Sequence, residues 1–139
     1  MANDVLTSEE SAIARILFEY AHAIDAADVN ALVGVLTDDA VIEYEGGKIR
    51  LEGRDKIGPY LTSVLIGPST HLISNVLVDQ DGGLAQIRAS AIVCVTRHVE
   101  FFLVRGATYK VEVVQIEGKW KIAALFHSMV WEFRIPKTD

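Results

Sequence analysis

A chain of 139 residues is long enough for one ordinary domain and leaves little room for a second. Half of it is apolar and the mean hydropathy is +0.27, more apolar surface than one small core can hide, which calls for an apolar cavity, a subunit interface or both. A net charge of −6, with 13 Lys and Arg that form no run, argues against nucleic acid and against an anionic membrane surface as partners.

No apolar stretch approaches the roughly 20 residues of a membrane helix. The opening segment carries acids and no basic n-region, unlike a secretory signal, so the expected location is the cytoplasm. Cys94 is the only cysteine, which removes intrachain disulfides and thiolate clusters.

In chain order, Thr7-Ser8-Glu9-Glu10 matches a capping box. Ile13, Ile16, Leu17, Tyr20 and Ile24 then recur at helical spacing, predicting a first helix over Ser8 to Ala27. Asp28 caps a short second helix, Val29 to Leu36, ended by Thr37-Asp38-Asp39. "AVIEYE", Gly46-Gly47 and "KIRLEG" read as a hairpin. A third helix follows from Asp55 to Leu65, closed by Gly67-Pro68. The remainder reads as strands: Leu72 to Val78, a "DQDGG" turn, Leu84 to His98, Phe101 to Ile116, a Glu117-Gly118 turn, and Lys119 to Phe133.

Helices first and long strands afterwards predict an α+β domain over residues 1–139, with helices segregated on one face of an antiparallel sheet. Strands this long must curve strongly, and a curved sheet wrapped by three N-terminal helices encloses a cone.

Two residues carry the chemical question. With about 100° per residue, Asp25 falls about 120° from Ile13, on the border of the apolar stripe. It also sits in the last helical turn, where the dipole disfavours a negative charge. A cationic or proton-donating partner across a pocket would explain it, and His71 at the head of a strand is the candidate. A histidine titrates near neutrality, and an aspartate on one ring nitrogen leaves the other free as a base. A solvated aspartate and a structural histidine are the plain alternatives.

By alternation, His71, Ile73 and Asn75 share a strand face. Tyr20, Tyr44 and Tyr109 could aim hydroxyls into one cavity, although aromatics at such spacing usually build core. Leu61, Ile73, Ile92 and Phe102 are the expected apolar walls. His22 lies about 180° from the stripe and faces solvent. His98 should be exposed, and His127 has no orientation from pattern. No histidine spacing suits a metal, and no phosphate-binding or nucleophile-elbow motif occurs.

The segments "EYAHAIDAADVNALVGVLTDDAVIEY", "EGRDKIGPYL", "STHLISNVLVD" and "YKVEVVQIEGKWKIAAL" resemble the SnoaL-like branch of the nuclear transport factor 2 superfamily. The resemblance covers about Glu10 to Phe133 and implies a cystatin-like, nuclear transport factor 2-like α+β barrel. Within it, scytalone dehydratase and hexachlorocyclohexane dehydrochlorinase use an Asp–His pair at positions that match Asp25 and His71. The dehydratase's tyrosine in its "IDY" segment matches Tyr44, and its polar position on the penultimate strand matches Tyr109 approximately. Its second catalytic histidine falls near Cys94, so that site is not complete here. The oxyanion tyrosine of ketosteroid isomerase matches Tyr20, but its base aspartate falls where Tyr44 stands.

These readings predict a lyase without cofactor or metal. His71, Asp25 and Tyr44 would be catalytic, with Tyr20, Tyr109, Ile73, Asn75, Cys94 and His127 around a small apolar, cyclic substrate. An isomerase or polyketide-type cyclase with the same dyad is the second expectation. A non-catalytic binding or assembly module, with Asp25 and His71 satisfied by other groups and no open cavity, is the third. A homodimer or homotrimer through the convex sheet face is expected from the apolar surplus and the family resemblance.

Overall fold

The first helix starts where its sequence says it should. The Thr7 hydroxyl accepts the Glu10 N–H at 3.1 Å, and the Glu10 carboxylate accepts the Thr7 N–H at 3.3 Å. In the computed structural model, which describes residues 6–64 and 68–138, α1 spans Ser8–Asp25. It ends short of Ala27, whose left-handed φ of 53° breaks the helical path.

Asp28 caps α2, Val29–Gly34, by accepting the Ala31 N–H at 3.0 Å. This helix is shorter than its spacing predicts, because the Val35 carbonyl is taken by the Ile122 N–H at 2.8 Å and Leu36 pairs with Ile122. Tertiary pairing thus overrides local propensity. Thr37, Asp38 and Asp39 do not end the helix but lie within β1, Leu36–Tyr44.

A 3₁₀ turn over Glu45–Gly47 returns the chain through β2, Ile49–Glu52, as the hairpin signal predicts. Helix α3 covers Arg54–Val64, and the expected end at Leu65 and the closing Gly67 lie outside the described residues.

Four long strands follow: β3 Ser69–Asp81, β4 Leu84–Val95, β5 Phe101–Ile116 and β6 Lys119–Pro136. Strand β3 absorbs Asp79, Gln80 and Asp81 by pairing with β4, which leaves Gly82-Gly83 as the turn. Strand β4 stops at Val95 instead of His98. Strand β6 runs past Phe133 because Ile135 pairs with Phe102, and the Lys137 ammonium then donates to the Thr96 and His98 carbonyls at 2.9 and 2.7 Å.

The sheet order is β2-β1-β6-β5-β4-β3. Its pairs are antiparallel except β1 with β6, which is parallel. The expected α+β architecture is therefore present, with two corrections, of which the parallel β1–β6 pair in a sheet expected to be antiparallel is the first. The curved sheet stays open, with β2 and β3 as edges, and does not close into a barrel.

The core lies between the helices and the concave face. Ile13, Leu17 and Tyr20 of α1 and Ile57 and Leu61 of α3 meet Ile87, Val111, Ile122 and Leu125 of the sheet, each at most 2% exposed. The buried residues of β4 fall at every second position, as a sheet with one covered face requires.

Candidate active site

Asp25 ends α1 directly opposite the start of β3. One carboxylate oxygen, Oδ1, accepts from the Ser69 hydroxyl at 3.0 Å and lies 2.6 Å from His71 Nδ1. The other, Oδ2, accepts the His71 backbone N–H at 2.9 Å. These donors explain how a carboxylate is held at the unfavourable end of a helix dipole. The His71 side chain is 9% exposed and that of Asp25 25%. Ser69 was not singled out from the sequence, although it sits two positions before His71 and shares its strand face.

His71 lines a cavity of about 270 Å³, close to the lower limit of about 300 Å³ for small-molecule sites. Tyr20, Tyr44, Tyr109 and His127 line the same cavity. The Tyr20 and Tyr44 hydroxyls are 2.6 Å apart, so one donates to the other and one proton remains to offer. Burial pushes the Tyr44 hydroxyl up to about 12, against the lowering effect of its bond to Tyr20. Burial also raises Tyr20 and Tyr109 well above the usual tyrosine value. All three are neutral donors near pH 7.

His127, which the sequence left without orientation, stands opposite Tyr109 in the β5–β6 register. Its ring centroid lies 5.1 Å from that of Tyr109 and 5.8 Å from that of Tyr44, both edge-on.

Five expected cavity residues do not line it. Asn75 has a φ of 54° and forms a bulge in β3, where the register shifts between Ser74 and Leu77. The extra residue carries Asn75 outward, and Val76 takes the inward position. Cys94 alternates with the buried Val93 and Val95, so its thiol belongs to the outer face beside Val104. Ile92 and Phe102 point the same way and are 42% and 40% exposed. Ile73 instead lines a recess of about 170 Å³ on the other side of the dyad, with Phe18, Ala21 and His22. Leu61 does line the main cavity. His22 is exposed as expected, whereas His98 is half-buried and stacks on Phe101 at 4.4 Å.

The cavity is also more polar than its sequence suggests, because Glu45, Arg97 and Arg105 line it. The Arg105 Nε donates to Glu132 at 2.8 Å, with both side chains about three-quarters buried. Strand alternation carries a readable signal for Arg105, which shares a face with Leu103 and Tyr109. Arg97 lies between strands and offers none. Among the described residues, no group of three His, Cys, Asp or Glu side chains is arranged to hold a metal, and no helix is long and apolar enough to cross a membrane.

A sequence-family profile for the SnoaL-like domain matches residues 6–125. No curated protein sequence matches the chain significantly. Among solved structures, a protein from Novosphingobium aromaticivorans proposed to be a scytalone dehydratase superposes with a TM-score of 0.83 at 21% identity, over 90% of this chain and 86% of that one. A second from the same organism, proposed to be an aromatic ring hydroxylase, gives 0.84 at 24% identity over 96% of each chain. A type 3 hexachlorocyclohexane dehydrochlorinase from Novosphingobium barchaimii gives 0.80 at 15% identity, over 92% of this chain and 90% of that one. At these identities the likeness is one of fold.

Proposed function

The chain belongs to the SnoaL-like domain family, and from that premise we propose that it is a cofactor-independent lyase acting on a small cyclic substrate through an Asp25–His71 dyad. The observation that carries the reading is the 2.6 Å contact between Asp25 Oδ1 and His71 Nδ1, made by a histidine that lines the cavity. The carboxylate fixes Nδ1 as the protonated nitrogen and leaves Nε2 as the basic one.

In the reaction, His71 takes a proton from a carbon beside a carbonyl, and the Tyr20–Tyr44 pair with Tyr109 stabilises the charge that grows on the carbonyl oxygen. The electron pair then forms the double bond as the leaving group departs from the β carbon. A departing hydroxide takes the proton back from the imidazolium and leaves as water; after a halide leaves, solvent takes that proton. Throughout, the Asp25 carboxylate stabilises the imidazolium.

Dehydratase and dehydrochlorinase folds among the structural neighbours support this reaction class over a passive binder. The direct bond between Asp25 and His71 supports it too, since a binding module should satisfy each with other groups.

The test is a screen of β-hydroxy and β-halo cyclic ketones with product mass as readout. Loss of water or hydrogen halide identifies elimination, and an unchanged mass identifies isomerisation or cyclisation with the same base. On the best substrate, His71→Ala should lower kcat/KM by roughly 10²–10⁴-fold, and Asp25→Asn should also lower it while the circular dichroism spectrum is kept. Full activity in His71→Ala would remove His71 from the mechanism.

A further inference from the structure

Among the described residues, the one buried side-chain nitrogen or oxygen without a hydrogen-bond partner is Nδ1 of His127. That nitrogen is closed to solvent while the ring lines the cavity, so a ligand there would meet the imidazole at its other nitrogen, Nε2. Tyr44 and Tyr109 flank the ring edge-on and fix its plane. The neighbouring Arg105 gives its Nε–H to Glu132 and makes no hydrogen bond to the His127 Nδ1.

We propose that His127 is the specificity-determining residue of the cavity and accepts a hydrogen bond from a hydroxyl on the ligand ring. The inference rests on the cavity being the ligand site, but not on turnover at His71.

Several features agree with it. Burial first, and then the charges of His71 and Arg105, hold His127 below its ordinary titration range, outweighing Glu45 and the residue's own backbone carbonyl, so near pH 7 it is neutral and has an acceptor nitrogen. The tyrosine hydroxyls nearby are neutral and donate. A ligand that satisfies both kinds of group carries an acceptor oxygen for the tyrosines and an O–H for His127. A purely halogenated ring supplies neither a donor nor a strong acceptor. Sites built to bond a ligand hydroxyl reject the analogue that lacks it far more strongly than apolar pockets reject a size mismatch.

The test uses two matched probes, p-cresol and p-fluorotoluene, titrated into the full chain and followed by protein NMR. Wild type should bind p-cresol about tenfold or more tightly than p-fluorotoluene, the equivalent of one well-made hydrogen bond. His127→Phe keeps an aromatic ring between Tyr44 and Tyr109 and should abolish that preference, and His127→Gln should restore part of it. The preference is read as binding and needs no turnover, which separates this inference from the catalytic one. In case the variants fold poorly, the long-range ¹H–¹⁵N spectrum of wild type provides an independent reading: p-cresol should shift the His127 ring nitrogens and p-fluorotoluene should not. Equal affinities, no binding of p-cresol, a preference that survives in His127→Phe, or His127 nitrogens unmoved by p-cresol would overturn the proposal.

Discussion

At the scale of single residues, the site is a set of polar groups with unequal degrees of satisfaction. Asp25 is saturated by Ser69 and by both the ring and backbone of His71, whereas His127 Nδ1 has no partner. That difference has a consequence for stability. The folded state keeps His127 neutral to below the ordinary histidine value of about 6.5, through burial first and then His71 and Arg105. The unfolded chain therefore binds a proton near pH 6.5 that the folded chain does not, and stability must fall as the pH drops through and below that value. Urea midpoints compared between about pH 7.5 and about pH 5.5 should decline less in His127→Phe than in wild type. Parallel declines would show that His127 titrates alike in both states. Much of this site was legible in the sequence. The dipole argument singled out Asp25, and the strand-start histidine gave its partner. His127 could be named but not oriented, because its direction is set by pairing with Tyr109 across a strand whose register no local pattern reveals.

At the scale of elements, the strands follow a two-residue period until a bulge resets it. Asn75 is the case in β3, and a second shift lies in β6, where Gly106 pairs with Trp131 but Ala107 with Met129, so Val130 is the extra residue. This bulge sets Trp131 over Gly106, so closely that a Cβ on residue 106 would fall inside the indole. Gly106→Ala should therefore displace the ring and lower stability by about 1–3 kcal/mol, the usual cost of overpacking, read from denaturant midpoints. An unchanged midpoint would mean that the indole is not held against that backbone. The same bulges explain which parts of the fold the sequence did and did not reveal. Helix order, the Gly46-Gly47 hairpin and the span of β5 follow from period and turn chemistry. The outward position of Asn75 does not, because one inserted residue inverts the faces without altering the strand's composition. The parallel β1–β6 pair was equally hidden, since it joins segments far apart in the chain.

At the scale of the molecule, the two faces of the sheet have different fates. The concave face is covered by helices and encloses the cavity. On the outer face the register aligns Leu72, Ile92 and Trp131 in one row, Cys94, Val104 and Phe133 in the next, and Phe102 with Ile135 beyond. Leu72 is 58% exposed, Phe133 64% and Ile135 50%. Soluble monomers rarely present contiguous apolar patches beyond a few hundred Å², and a partner surface over this one would take up the apolar surplus that the small core leaves over. The patch continues across four strands, so a second copy of the chain could cover it without touching the residues around Asp25 and His71. Sedimentation equilibrium should then give a multiple of 15.3 kDa, with dimer and trimer both compatible with the patch. The double variant Ile92→Lys with Phe133→Lys should shift the protein to the monomer, because a buried unpaired charge costs more than the lost contact alone. It should also leave the Asp25–His71 geometry intact, so any turnover should survive dissociation. A wild-type chain that sediments at 15.3 kDa would show that the outer face is tolerated bare, and the apolar surplus would then have to be explained by the cavity alone.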